Sequence, residues 1–152
     1  MAEIFKGLPV HRLVLPCGDE LVVALHGAHV LSWVAQGRER LYLSPTSACD
    51  GITAIRGGVP VCFPQFNQRG SLPKHGFVRN MPWRLSEASL QAPASGAGSD
   101  SVQISAHAFE LQANDPSRNI WPVNFRAVLT VELQTHQLKI SLRVENQGDT
   151  AF

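Results

Sequence analysis

Two consecutive runs near the end of the chain alternate apolar and polar residues with a period of two: Phe125, Ala127, Leu129, Val131 and Leu133, then Leu138, Ile140, Leu142 and Val144. In an extended strand that period puts every apolar side chain on one face, whereas a helix would scatter them around its axis. The polar link Gln134-Thr135-His136-Gln137 is short enough to join the two as an antiparallel hairpin. It lacks the Asn-Gly pair that would settle the turn type. Shorter runs read the same way: Val102, Ile104 and Ala106; Leu21 to Leu25; Val30 to Trp33; Arg40 to Leu43.

No window of a dozen residues keeps a helical period, and ten prolines with twelve glycines punctuate the chain at intervals that suit strands and turns. The expected fold is all-β, an antiparallel β-sandwich or barrel. With 152 residues, 44% of them hydrophobic, the chain suffices for one domain that removes roughly 70% of its unfolded surface from water. The stretch from Ala92 to Ser101 is small and polar. It reads as an exposed loop between strands and not as a domain linker, because strand patterning continues on both sides and neither half alone would have much core.

Charge and hydropathy exclude several classes of partner. Thirteen Lys plus Arg against twelve Asp plus Glu leave +1, so no global field exists to hold nucleic acid. No run approaches the ~18 apolar residues of a membrane helix. The N-terminus carries an early acid, Glu3, and no apolar segment long enough for a secretory signal, so a cytoplasmic location is expected. Cys17, Cys49 and Cys62 show no paired spacing and read as reduced thiols, with Cys62 an inert buried one in its apolar run.

Chemistry concentrates between Ala54 and Trp83. Arg56, Lys74 and Arg79 are candidates for holding an anion, and arginine's planar fork matches two phosphate oxygens at once. Gly57 and Gly58 allow close backbone approach. Phe63, Phe66, Phe77 and Trp83 could offer apolar faces to a sugar ring or could equally be core. His75, between Lys74 and Gly76, reads either as a turn cap or as a proton carrier. His26 and His29 do not read as a metal pair, since an odd separation on a strand puts the side chains on opposite faces and Gly27 argues against a helix. His11, His107 and His136 form no ligand-like spacing. No phosphate-loop or serine-nucleophile signature occurs.

Gly27-Ala-His-Val-Leu-Ser-Trp33, Ile55-Arg-Gly-Gly-Val-Pro-Val-Cys-Phe-Pro64, Leu72-Pro-Lys-His-Gly-Phe-Val-Arg-Asn80, Trp121-Pro122 and Asn146-Gln-Gly-Asp149 together resemble the glucose-6-phosphate 1-epimerases (hexose-6-phosphate mutarotases) of the galactose mutarotase-like superfamily. The resemblance covers nearly all of the chain and implies that residues 1–152 correspond to the N-terminal half of that family's β-sandwich. It implies substrate binding by Arg56, Lys74 and Arg79, with the two arginines on the phosphate of a hexose 6-phosphate. Lys74 departs from the family pattern, where glutamine is common, so a sugar hydroxyl and the phosphate both remain open as its contact. His75 matches a histidine that helps polarise the sugar's oxygen.

The resemblance also implies a reaction: ring opening by deprotonation of the anomeric hydroxyl and protonation of the ring oxygen, then closure on the other face, with no metal or organic cofactor. Each positioned proton carrier contributes roughly 100-fold to 10,000-fold. The family's principal acid, a histidine in a His-Thr-Tyr-Phe type motif, would fall just past Phe152 and its glutamate base much further on, so the chain alone is expected to turn over poorly. Two other readings stand beside this one. The chain could be a non-catalytic module that binds sugar phosphates or other carbohydrates, or a poorly soluble fragment with strand edges and an apolar face uncovered.

Overall fold

The computed structural model describes residues 3–87 and 104–152. The fold is all-β, as expected, with two antiparallel sheets. The first runs in sequence order: β1 (Glu3–Phe5), β2 (Leu8–Val14), β3 (Glu20–Ala24), β4 (His29–Ala35) and β5 (Arg38–Glu39). The second contains β6 (Arg84–Leu85), β7 (Ile104–Gln112), β8 (Phe125–Gln134) and β9 (Gln137–Asn146), again in order.

Strand β8 carries the alternation read in the sequence: Phe125, Ala127, Leu129, Val131 and Leu133 are all buried, and each intervening residue is half-buried. A slip of one residue would turn all five outward, at about 1.5–3 kcal/mol for each Val, Leu or Phe, so the register is strongly specified. These five side chains meet Leu13, Leu21, Val23 and Val30 of the first sheet in one core. Strand β3 does not alternate, because both of its faces are covered. Leu21 and Val23 point into the shared core, while Val22 and Ala24 point the other way against Leu8, Val10, Leu31, Cys49 and Ile55. That second cluster ties down the chain that follows β5, and Ile55 anchors the residue next to it, Arg56.

Strand β9 pairs with β8 along its whole length, but its apolar face is poorly covered: Leu138, Ile140 and Val144 are half-buried and Leu142 is 44% exposed. Among the described residues nothing pairs with its outer edge.

Several local expectations change. Arg40 to Leu43 is not a strand; the pairing with β4 stops at Arg38–Glu39. The Glu39 carboxylate accepts from the amides of Trp33 and Leu41, taking donors that a continuing ladder would use. A short helix absent from the sequence reading, α1 (Asp115–Ile120), sits between β7 and β8. Six residues are too few for a periodic signal, and its cause is local: Asn114 accepts from the Ser117 amide while the Ser117 hydroxyl accepts from the Asn114 amide. Cys62 is half-buried and not buried; all three cysteines are free thiols. The Ala92 to Ser101 stretch and Val102 lie outside the described residues.

The β8–β9 hairpin turns on Thr135 and His136 alone, with Gln134 paired to Gln137. His136 adopts φ +60°, a conformation that glycine or asparagine would normally supply. Its stabilisation comes from 117 residues away. The fully buried Asp19 carboxylate accepts from the His136 amide (2.5 Å) and Nδ1 (3.0 Å), and also from the Gln36 amide (3.0 Å). One side chain thus ties together turns of both sheets. Burial alone would raise the Asp19 pKa; the hydrogen bonds from Gln36 and His136 outweigh it and hold the carboxyl below the ordinary 3.8.

Replacing Asp19 with Ala should leave three donors without their acceptor and cost at least ~3 kcal/mol in urea denaturation at pH 7. Because the folded-state pKa is depressed, this contribution is present above pH ~3.8 and lost as pH falls through the lower folded value. Equal urea midpoints for Asp19→Ala and the parent chain would show that the clamp carries no stability.

Candidate functional site

The two cation-bearing loops both rest on the β3–β4 hairpin, one at its tip, Leu25 to Ala28, and the other at the start of β4. On one side the Gly27 amide donates to the Met81 carbonyl (2.8 Å) and the Trp83 amide donates to the Leu25 carbonyl (2.7 Å), so the tip pairs with the end of the Leu72–Trp83 loop. On the other side Val30 and Val59 exchange two backbone hydrogen bonds, and the Gly58 amide donates to the Tyr42 carbonyl. The backbones lie too close for a side chain. A Cβ on Gly27 (φ +76°) would sit 2.3 Å from the Arg79 carbonyl oxygen, and one on Gly58 (φ +61°) 2.2 Å from that of Val30. Gly57, whose Cβ would lie 2.3 Å from the Tyr42 carbonyl oxygen, and Gly58, both singled out in the sequence, therefore serve chain-to-chain contact.

Lys74, His75 and Arg79 occupy one loop. Arg79 Nη2 donates to the Lys74 carbonyl at 3.0 Å, bending the guanidinium back over its own loop. Gln65 pins the base of the loop, its amide nitrogen donating to the carbonyls of Asn67 and Leu72 and its oxygen accepting from the Leu72 amide. His75 (φ +67°) closes it: its amide donates to the Asn67 carbonyl, and its Nδ1 accepts from the Asn67 amide at 3.1 Å. An acceptor at Nδ1 puts the proton of neutral imidazole on Nε2. His75 thus caps a turn and keeps one N–H donor free of that role. Burial, and then the charges of Arg79 and Lys74, hold its pKa below the usual value.

Arg56 is exposed and lies on the other loop, where its amide donates to Ser47 Oγ and its carbonyl accepts from the Ser44 amide. The link between the two loops is His29, which the sequence reading left unassigned. It is 1% exposed, and its Nε2–H donates to the carbonyl of Gly57, next to Arg56, at 2.7 Å. Its pKa is lowered first by burial, with the charges of His26 and Arg79 adding to that. The strand premise used for His26 and His29 does not hold, because residues 25–28 form a turn, in which strand alternation does not apply. Among the described residues no group of three or more His, Cys, Asp or Glu is placed to hold a metal.

Of the four aromatics considered for a sugar face, Phe77 and Trp83 are core, and Trp83 Nε1 donates to the Val78 carbonyl. Phe63 packs against the core edge-on to Trp121 and Phe125. Phe66 is 60% exposed and meets the His75 ring edge-on at 5.0 Å. It is the aromatic that the site itself presents. Cavities of about 360 Å³ beside Arg84 and Glu110, about 270 Å³ reaching Pro82 and Trp83 at the end of the Leu72–Trp83 loop, and about 340 Å³ beside Lys6 and Tyr42 are present. On the cation-bearing loops Arg56 and Lys74 are exposed and Arg79 is half-buried.

His11 and His107, also unassigned from the sequence, meet across the two sheets with Nε2 and Nδ1 3.1 Å apart. Burial lowers both pKa values. No helix among the described residues is long and apolar enough to cross a membrane.

The chain matches the family profile described as aldose 1-epimerase over residues 11–152. A curated Salmonella typhimurium protein named "Putative glucose-6-phosphate 1-epimerase" is 42% identical over 106 residues, covering 67% of this chain and 32% of that protein. One of the same name from Cenchrus ciliaris is 33% identical over 126 residues, 82% of this chain and 37% of the other. Among solved structures, a Synechocystis protein superposes with a TM-score of 0.72 at 28% identity, over 98% of this chain and 53% of its own. A Salmonella typhimurium "putative mutarotase" does so with a TM-score of 0.67 at 29% identity, over 95% and 49%. The chain spans about a third of the length of these curated relatives and about half that of the solved chains.

Two measurements follow from the site's geometry. Gly27→Ala and Gly58→Ala should each cost more than the ~1–2 kcal/mol of the left-handed conformation alone, because a carbonyl oxygen occupies the space of the new Cβ. Gly37→Ala (φ +69°), where nothing lies within 4 Å, should cost only that ~1–2 kcal/mol; equal losses in urea denaturation would refute the close-contact account. Separately, His11, His26, His29, His75 and His107 all have folded-state pKa values below 6.5. The unfolded chain binds protons first as pH falls through 6.5, so stability should decline below that pH. A flat urea midpoint from pH 7.5 to pH 5.5 would contradict it.

Proposed function

The chain belongs to the aldose 1-epimerase family, and on that premise we propose that it supplies the sugar-phosphate recognition surface of a hexose-6-phosphate 1-epimerase, as the N-terminal part of a single sandwich. The observation that carries this reading is the joint mounting of the Lys74–Arg79 loop on the tip of the β3–β4 hairpin and of the Arg56 loop on the start of its strand β4. Relatives named for glucose 6-phosphate support the substrate class. A phosphoryl dianion suits two guanidinium groups and an ammonium, and a water-facing site suits a ligand that is polar over most of its surface.

In this reading Arg56 and Arg79 hold the phosphoryl group, Lys74 contacts phosphate or a sugar hydroxyl, and Phe66 lies against an apolar patch of the ring. His75, neutral and with its proton on Nε2, donates a hydrogen bond to the sugar's oxygen. That polarises the ring without itself completing the proton transfers. Epimerisation needs both a donor to the ring oxygen and an acceptor for the anomeric hydroxyl proton, and His75 in this tautomer offers only donation. The expected behaviour is binding with little turnover.

Titration calorimetry should detect glucose 6-phosphate binding to the 152-residue chain and much weaker binding of glucose. Arg56→Ala should weaken it about 10- to 100-fold, the worth of one charge-assisted hydrogen bond. Exchange spectroscopy should find α/β interconversion of glucose 6-phosphate near its rate in buffer. No detectable binding would reject the reading, and clear acceleration would assign turnover to residues on this chain, His75 first.

A further inference from the structure

The edge of a sheet is a row of unpaired amides and carbonyls, and folds commonly blunt it by keeping the edge strand short. Among the described residues the two sheets have four edges, and three are blunted in that way: β1 has three residues, β5 two and β6 two. The fourth is β9, ten residues long, in unbroken register with β8 from Gln137 to Asn146 and free of bulge and proline. The residues that follow do not cover it. Gln147 donates its amide to the Asn124 carbonyl, and the Phe152 ring meets Trp121 and Phe63 edge-on, so the chain turns toward the segment that precedes β8.

The turn at Thr135 and His136 closes on Gln134 and Gln137 as a hydrogen-bonded pair. Bonded and free positions then alternate along β9, so Leu138, Ile140, Leu142, Val144 and Asn146 direct their amides and carbonyls to the outer edge. The first four are the incompletely covered apolar residues, with Leu142 44% exposed. On the other face stand Lys139, Ser141, Arg143 and Glu145. Paired antiparallel with itself about a two-fold axis at Leu142, β9 sets Lys139 opposite Glu145, Arg143 opposite Ser141, and Ile140 opposite Val144. Opposite charges meet and like charges do not. Moving the axis one residue, to Ser141 or to Arg143, sets Lys139 opposite Arg143 or Arg143 opposite itself. Charge selects the register centred on Leu142, and that register pairs every residue from Leu138 to Asn146. Lys139 keeps Glu132, and Glu145 keeps Arg126 and Arg143, as partners within the chain, so the new pairs join existing ones across the axis.

We propose that the outer edge of β9 is an interaction surface for a second copy of this chain: two β9 strands pair antiparallel about Leu142 into one continuous sheet. In the 152-residue chain the second copy takes the place that further strands of a longer sheet would take. Each molecule offers one long edge, and the opposite edge of the same sheet is the two-residue β6, so the pairing closes as a dimer and does not propagate. Leu138, Ile140, Leu142 and Val144 of each copy gain lateral cover from those of the other. The cation-bearing loops rest on the β3–β4 hairpin of the other sheet and stay outside the pairing.

Light scattering on the 152-residue chain over a dilution series should find a species of twice 16.6 kDa that dissociates on dilution. Hydrogen exchange locates the contact. In the dimer the amides of Leu138, Ile140, Leu142 and Val144 should slow at least about tenfold relative to the diluted chain, while those of Lys139, Ser141 and Arg143, already bonded to β8, should not change. Leu142→Lys puts two ammonium groups opposite each other on the axis and should weaken the dimer at least about tenfold. Leu142→Pro removes an amide that β8 does not use and should do the same. Slow exchange at Ser141 and Arg143 in both variants would show that the β8–β9 ladder survives the substitution. A chain that stays at 16.6 kDa at every soluble concentration, one that grows past the dimer, or a dimer that Leu142→Lys leaves equally tight would each overturn the inference.

Discussion

The close approach of backbone at the β3–β4 tip is the constraint from which the rest of the site follows. Gly27 lies against the Arg79 carbonyl and Gly58 against that of Val30, both with less room than a methyl group needs. Because the tip is part of a strand pair buried on both faces, it is among the least deformable places in the molecule. Two long, irregular loops with little secondary structure of their own gain a fixed separation by pairing with it. His29 completes the arrangement from the side-chain direction, spanning from β4 to the carbonyl beside Arg56. Rigid scaffold below and cation-bearing loops above is the division of labour that binding sites commonly show.

Electrostatics and burial act together around that tip. The imidazoles of His26 and His29 are nearly inaccessible, and burial favours their neutral forms. A neutral His29 can lie in the field of Arg79 without repelling it, and neutral rings leave the local positive potential to Arg56, Lys74 and Arg79. With an overall charge of +1, the chain has no global field to attract an anion. Whatever anion it holds must be held by local groups.

The uneven cover of the second sheet bears on the proposed half-sandwich. The inner face of β8 is closed against the first sheet, whereas Leu138, Ile140, Leu142 and Val144 on β9 are only partly covered. The chain spans about half of the solved chains it superposes on. A sheet that continues beyond β9 would pair that edge and cover those side chains, which fits a role as one part of a larger sandwich.

The all-β class and the β8–β9 hairpin were legible from residues alone, because period-two alternation is a local pattern, and clustered cations with glycine likewise marked Arg56 to Arg79 as the candidate region. The sequence also marked Gly57 and Gly58 as places of close backbone approach, without showing that the approaching group is another stretch of chain. Other features were not legible, since their causes lie far apart in the chain. The left-handed His136 is stabilised by Asp19, His11 meets His107 across the core, and His29 reaches Gly57. Strand pairing brings those residues together only when the whole core closes. Local composition therefore decided which segments could be strands and which could carry charge. The tertiary structure alone decided which histidines are buried, which turns hold, and which two loops share one mount, because burial and long-range hydrogen bonds exist only in the folded chain.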